Sequence, residues 1–182
     1  MPSASAPSPH LAGELELRPP AVQDESQGRL AQAECLQDAF DFLLMRSDET
    51  WSDWLSRIAR EHAGTDLPEG RVPATMLFAF VGDDLVGRVS IRHELNSFLL
   101  EVGGHIGYAV RPAFRRRGYA TEILRQALET AGGLGIEQVL VTCDVDNVSS
   151  RRTIERCGGV LEDIRPGQPG QAPKRRYWIT IA

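Results

Sequence analysis

Val110-Arg111-Pro112-Ala113-Phe114-Arg115-Arg116-Arg117-Gly118-Tyr119-Ala120-Thr121 sets three consecutive arginines and a glycine immediately before a strongly amphipathic segment. From Ala120 the apolar residues run Ala120, Ile123, Leu124, Ala127, Leu128 and Ala131, the spacing of one buried helical face. Glu122, Arg125, Gln126 and Glu129 fall outside it, and Gly132, Gly133 and Gly135 end the helix. A glycine before a helix lets backbone N–H groups converge, and the first turn adds unpaired amides and the positive end of the dipole. The stretch therefore predicts an anion cradle. Charge alone leaves a second reading open, a solvated basic run beside an ordinary helix start.

Outward from the loop, His105-Ile106-Gly107-Tyr108-Ala109-Val110 reads as the preceding strand and Ile136 to Cys143 as the following buried strand. The cradle thus sits in a strand-loop-helix-strand unit, where open α/β sheets bind ligands. Further upstream, Ala74 to Val81 is a fully apolar strand, and Gly82-Asp83-Asp84 turns the chain into Leu85 to Arg92 as a hairpin. Glu14 to Arg18 alternates as a first strand near a sheet edge. Between them the spacing predicts two helices. One carries Leu30, Ala33, Leu36, Phe40, Leu43 and Leu44; the other carries Trp51, Trp54, Leu55, Ile58 and His62, capped by Asp48 or Thr50. Trp51 and Trp54 read as core, and His62 as incidental. Downstream, Asp144 to Asn147 caps a helix Val148 to Arg156 that Gly158-Gly159 stops. Strands at Val160 to Ile164 and Lys174 to Ile181 flank a Pro- and Gly-rich loop. The element order is β-α-α-β-β-β-α-β-α-β-β.

The chain has 182 residues, of which 42% are hydrophobic, enough for one globular domain with a substantial core. Residues 1–12, rich in Pro, Ser and Ala, read as a disordered tail, and residues 13–182 as the domain. The net charge of −5 argues against a nucleic-acid partner and mildly favours the approach of a cationic amine. All but Lys174 of the 20 basic residues are arginine, from which no function is drawn. Cys35, Cys143 and Cys157 lack metal-ligand spacing and fit free thiols in a reducing cytoplasm. No apolar run approaches the ~18 residues of a membrane helix. These readings predict a cytoplasmic protein without a membrane or metal partner.

Arg115-x-x-Gly118-x-Ala120 resembles the (Arg/Gln)-x-x-Gly-x-(Gly/Ala) signature of the GCN5-related N-acetyltransferase (GNAT) family. The resemblance extends over roughly residues 14–182. Gly107-Tyr108-Ala109-Val110-Arg111-Pro112 runs into the loop at the family's spacing, Asn147-x-x-Ser150 is similar to its Asn-x-x-(Ala/Ser) motif, and Gly158-Gly159 stands where it often shows Gly-Phe. Arg92-His93-Glu94-Leu95-Asn96 and Gly103-Gly104-His105-Ile106-Gly107-Tyr108 look like a group of predicted bacterial acetyltransferases within it. The likeness implies an α/β (α+β) fold, with a mixed, mostly antiparallel sheet of about six to seven strands and about four flanking helices. It implies acetyl-CoA as co-substrate, with the pantetheine arm at Ala109, Val110, Asn147 and Ser150. The pyrophosphate would lie on Arg115, Arg116, Arg117, Gly118, Tyr119, Ala120 and Thr121, with Arg151 or Arg152 at a further phosphate or on a solvated helix face.

The implied reaction moves an acetyl group directly from the thioester to a primary amine of a small molecule or peptide. A backbone N–H of the strand ending at Val110 would polarise the carbonyl. Glu101 and His105 are the candidate bases, with His93 and Glu94 nearby in sequence; His105 has the better intrinsic pKa but could equally be a hydrogen-bonded structural residue at the Gly103-Gly104 turn. The family's helix tyrosine, which protonates the thiolate, falls on Ile154, leaving Tyr108, Tyr177 or water as proton source. That departure keeps a second hypothesis open, a non-catalytic acyl-CoA-binding or sensing module. A cysteine nucleophile is unpersuasive, and an unrelated nucleotide-binding protein lacks the P-loop lysine and hydroxyl pair. A homodimer through the apolar final strand is a further expectation.

Overall fold

The computed structural model describes residues 15–181, so the expected tail of residues 1–12 lies outside the described residues. Seven strands form one sheet: β1 (Leu15–Arg18), β2 (Ala74–Val81), β3 (Asp84–Arg92), β4 (Ile106–Val110), β5 (Gln138–Asp144), β6 (Val160–Arg165) and β7 (Lys174–Thr180). Their spatial order is β1-β2-β3-β4-β5-β7-β6. Every neighbouring pair is antiparallel except β4 and β5. Four helices cover the faces: α1 (Glu25–Leu36), α2 (Trp51–Ala63), α3 (Tyr119–Gly133) and α4 (Val148–Arg156).

The sheet is buried on both sides, which is why β2 reads as a continuous apolar run rather than an alternation. Leu77, Ala79 and Val81 join a core with Ile123, Leu124 and Ala127 of α3 and Ile154 of α4. Phe78 and Phe80 turn the other way, into a second core with Phe42, Leu43, Trp51, Trp54 and Leu85. Trp54 is fully buried, packs with a 4.6 Å centroid separation on Trp51, and donates its indole N–H to the Leu43 carbonyl at 3.0 Å. Thr50 caps α2 by accepting the Asp53 N–H at 3.1 Å.

The first helix departs from the sequence expectation. It stops at Leu36, so Phe40, Leu43 and Leu44 belong to the connection to α2, and it buries Gly28, Ala31 and Cys35 instead of Leu30 and Leu36. Those two leucines are 51% and 54% exposed. The reason is steric. Gly28 lies under the Trp51 indole, where a Cβ would come within 2.6 Å of a ring carbon, so the packing face is made of small residues that a search for large apolar spacing passes over. The final strand β7 pairs with β5 on one edge and β6 on the other, so a second subunit has no free edge of β7 to pair with. The edge strands are β1 and β6, and β6 carries Val160, Leu161 and Ile164 at the surface.

Candidate active site

β4 and β5 meet at a single parallel register position, Ile106 with Val141, and part beyond it. On its other edge β4 stays paired with β3 as far as Val110 opposite Gly87. The Arg92 N–H donates to the His105 carbonyl and the Arg111 N–H to the Val86 carbonyl. Antiparallel alternation therefore turns the Gly107 and Ala109 backbone groups toward β3, and those of Tyr108 and Val110 toward the gap. The gap opens into a cleft of about 830 Å³.

At the mouth of the cleft the Arg115–Gly118 loop enters α3. Arg116 and Gly118 adopt left-handed φ values of 60° and 85°. The amides of Thr121 and Glu122 donate back to the Gly118 carbonyl, whereas the amides of Arg116 through Ala120 have no backbone or side-chain acceptor among the described residues. Five successive free N–H groups at a helix N-terminus form a nest for an anion, and the chemistry of this donor set fits a pyrophosphate. Arg115, Arg116, Gly118, Tyr119, Ala120 and Thr121 all line the cleft, and Arg115 also pairs with Asp38 at 2.7 Å. Arg117 is turned onto the Ala113 carbonyl and the Phe114 ring and does not line it.

The opposite wall is α4. Asn147 caps it by accepting the Ser150 N–H at 2.9 Å, which leaves its own amide hydrogens for a ligand. Ser150, Arg152, Thr153 and Arg156 line the cleft, so of the two arginines weighed from sequence Arg152 is the one at the site. Cys35, Asp38 and Phe40 line it from the end of α1, a contribution without any sequence motif to announce it.

A model described as an acetyltransferase (GNAT) domain matches residues 14–160. The chain belongs to the GNAT acetyltransferase family. A search of curated proteins finds no match. Among solved structures this GNAT chain is similar to the microcin C7 self-immunity acetyltransferase MccE in complex with acetyl-CoA and AMP, at 20% identity and TM-score 0.65, covering 92% of this chain and 93% of that one. It is also similar to a Salmonella typhimurium acetyltransferase that modifies the N-terminal serine of ribosomal protein L7/L12, at 18% identity and TM-score 0.68 over 93% and 96%. The spermidine N-acetyltransferase of Vibrio cholerae, in complex with CoA and spermine, follows at 16% identity and TM-score 0.63 over 93% and 96%. Such identities speak to fold. The family membership makes the chain an acetyltransferase with acetyl-CoA as its co-substrate.

The expected catalytic residues of this GNAT domain separate. Tyr108 lines the cleft, with its hydroxyl 2.9 Å from Ser150 Oγ. Burial pushes its pKa up to about 12, so the phenol keeps its proton. Ile154, one turn along α4 from Ser150, is sealed in the core. A phenol thus reaches the α4 wall from β4 rather than from α4 itself. Tyr177 is buried away from the cleft, with its hydroxyl on Glu155 at 3.3 Å.

Glu101 sits in a π-helical turn, Leu99–Gly103, exposed and ion-paired with Arg165, and it lines neither main cavity. His105 is buried, and its Nδ1 accepts the Leu140 N–H at 2.9 Å. With that lone pair engaged and the proton on Nε2, the ring has no free site for an amine proton. The general-base expectation for Glu101 and His105 is corrected on these grounds, and His105 takes the structural alternative, bonding to β5. His93 bonds Thr75, which in turn bonds His62, each at 2.8 Å, so His62 is not incidental. The three thiols are all raised in pKa, chiefly by burial, which disfavours a thiolate nucleophile.

Burial, then the nearby Arg92 charge, pushes the His105 pKa down to about 4 from the ordinary 6.5. The unfolded chain therefore takes up this proton first on acidification. The stability held by the neutral ring is complete above about pH 6.5 and is lost as pH falls toward 4, amounting to about 3 kcal/mol. Urea midpoints at pH 7 and 4.5 are expected to differ more for the wild type than for His105→Asn. An equal acid loss in both proteins would remove His105 as the cause.

Proposed function

We propose that this protein transfers the acetyl group of acetyl-CoA directly to a primary amine. The observation that carries the reading is the row of five unpartnered amides, Arg116 to Ala120, at the mouth of the β4–β5 cleft. Arg115, Arg116, Arg152 and Arg156 add positive charge along the same walls. Related folds solved with acetyl-CoA or CoA, among them a ribosomal L7/L12 α-N-protein acetyltransferase and a spermidine N-acetyltransferase, support an amine acceptor.

In this reading the cradle amides take the pyrophosphate, and the free amide hydrogens of Asn147 hold the pantetheine arm. The Tyr108 and Val110 N–H groups face the gap and donate to the thioester oxygen, where they stabilise negative charge as the amine attacks. Tyr108, kept neutral by burial, gives its proton to the departing thiolate and is restored through Ser150 and solvent. The amine must arrive uncharged. The one carboxylate lining the cleft, Asp38, is held by Arg115 at 2.7 Å, so the amine loses its ammonium proton to water before it is engaged, and the nitrogen releases its second proton to solvent as the intermediate collapses.

Tyr108→Phe is expected to lower kcat about 10- to 100-fold while leaving the Kd for CoA unchanged. The wild-type kcat should show no alkaline fall up to about pH 10, because the acid has not yet ionised there. Thiol release over an amine panel measures both. An unchanged kcat in the variant removes Tyr108 from the reaction, and saturable CoA binding without turnover of any amine would favour the binding-module hypothesis.

A further inference from the structure

On the α1–α2 face of the sheet, next to β4, lies a second cavity of about 140 Å³. Its floor is β2 and β3, through Met76, Ser90 and Arg92, and its roof is α2 and the chain around Arg71 and Phe98. Register sets Ser90 opposite Gly107 of β4. Arg92 lies over the same glycine, with Nη1 3.2 Å from where a Cβ would stand. The cavity therefore abuts the strand whose outer end borders the cleft.

Its charge is unbalanced. Arg92 is half-buried and makes no ion pair with a described residue, and the exposed Arg71 shares the lining without one. The one carboxylate in the lining, Glu61, is engaged by Arg57 at 2.8 Å. Two residues back along β3 from Ser90, Arg88 is only 4% exposed. Its Nε has no partner, and Nη2 reaches only the Asp41 carbonyl at 3.2 Å. A buried guanidinium beside a half-buried one, neither with a counter-charge among the described residues, is costly unless an anion joins them. Burial and the Arg71 charge also press the Arg92 pKa down, as expected of a cation lacking its partner.

We infer that the acceptor amine carries an anionic group, a carboxylate or a phosphate, which Arg92 binds in this cavity with Arg71 and Ser90. The inference rests on the acetyltransferase reading and specifies its substrate class. Gly107 is two to three residues from the Ala109–Val110 end of β4, about 7–10 Å along an extended strand. That span matches the distance from a peptide α-amine to an acidic side chain at the second residue, or to the phosphate of an aminoalkyl phosphate. The overall charge of −5 mildly favours a cationic acceptor, and the local field at this cavity reverses that preference.

Matched acceptors test it: Ala-Glu amide against Ala-Gln amide and Ala-Lys amide, and 5-aminopentyl phosphate against 5-aminopentanol. The wild type should prefer the anionic member of at least one pair on the order of 10- to 100-fold in kcat/KM. The preferred pair separates carboxylate from phosphate. Arg92→Gln should level that ratio, Arg92→Lys should restore part of it, and Arg71→Glu, at an exposed position, should reduce it without endangering the fold. CoA affinity should hold throughout. Calorimetric binding of the same probes to the CoA-loaded protein gives a readout independent of turnover. Arg92-dependent anion binding without acetylation would sink the catalytic reading and keep this one, whereas turnover with no anionic preference, or one unmoved in Arg92→Gln, would overturn it.

Discussion

Gly118→Asp is expected to raise the Kd for acetyl-CoA by more than about 100-fold, which amounts to loss of binding at working concentrations. Gly118 holds φ at 85°, a conformation that costs an L-residue on the order of 1 kcal/mol. The strain is the smaller part. A carboxylate at this position lies among the free amides of Arg116 to Ala120 and competes for the donors a pyrophosphate needs. Like-charge repulsion at close range in a partly desolvated loop adds several kcal/mol. Gly118→Asn supplies the control, because asparagine tolerates the left-handed region and brings no charge. It should lose less than about tenfold. Titration calorimetry with CoA reads both, and an aspartate variant that binds like the wild type would dismantle the cradle.

Trp54→Ala should cost about 3–5 kcal/mol of folding stability, the largest loss expected from a single truncation in this chain. The indole is fully buried between Trp51, Phe78 and the α1–α2 connection, so its removal leaves a cavity in the second core. It also strips the Leu43 carbonyl of its donor. Trp54→Phe keeps most of the volume and loses only the hydrogen bond, for which about 1–2 kcal/mol is expected. Urea unfolding followed by far-UV circular dichroism measures the series. If the alanine variant fell by less than about 1 kcal/mol, Trp54 would not be the keystone of the α1–α2 layer. Leu43 lines the anion cavity and Phe40 the CoA cleft, so this layer also fixes the roof of both cavities.

Legibility differed sharply between the two faces of the sheet. The α3–α4 face was readable because its elements obey local rules: the 3-4 spacing from Ala120 to Ala131, the Asn147 cap, and the glycine that the loop's backbone requires. The α1–α2 face was not, because α1 packs through Gly28, Ala31 and Cys35 and its contacts are decided by a tryptophan 23 residues away in sequence (51 − 28). The site divides along the same line. Residues that turn backbone groups and caps toward the cleft announced themselves by motif. His105 and Glu101 carried the right chemistry in sequence, yet their partners, Leu140 and Arg165, come from other strands and redirect them. Arg88 carried no signal of its own in the sequence and Arg92 entered only with the Arg92–Asn96 likeness, because β4, α2 and the 38–44 connection that surround them come together only in the fold.

The single register contact between β4 and β5 also bears on how long such a protein persists. A ligand that lodges in that seam binds only the folded chain, and at 100 times its Kd it adds about 2.7 kcal/mol to the folded state by mass action. Were the donor to lodge there, the seam would couple folding to donor supply: a chain short of thioester would lose a tie between the two halves of the sheet and open more readily to proteolysis.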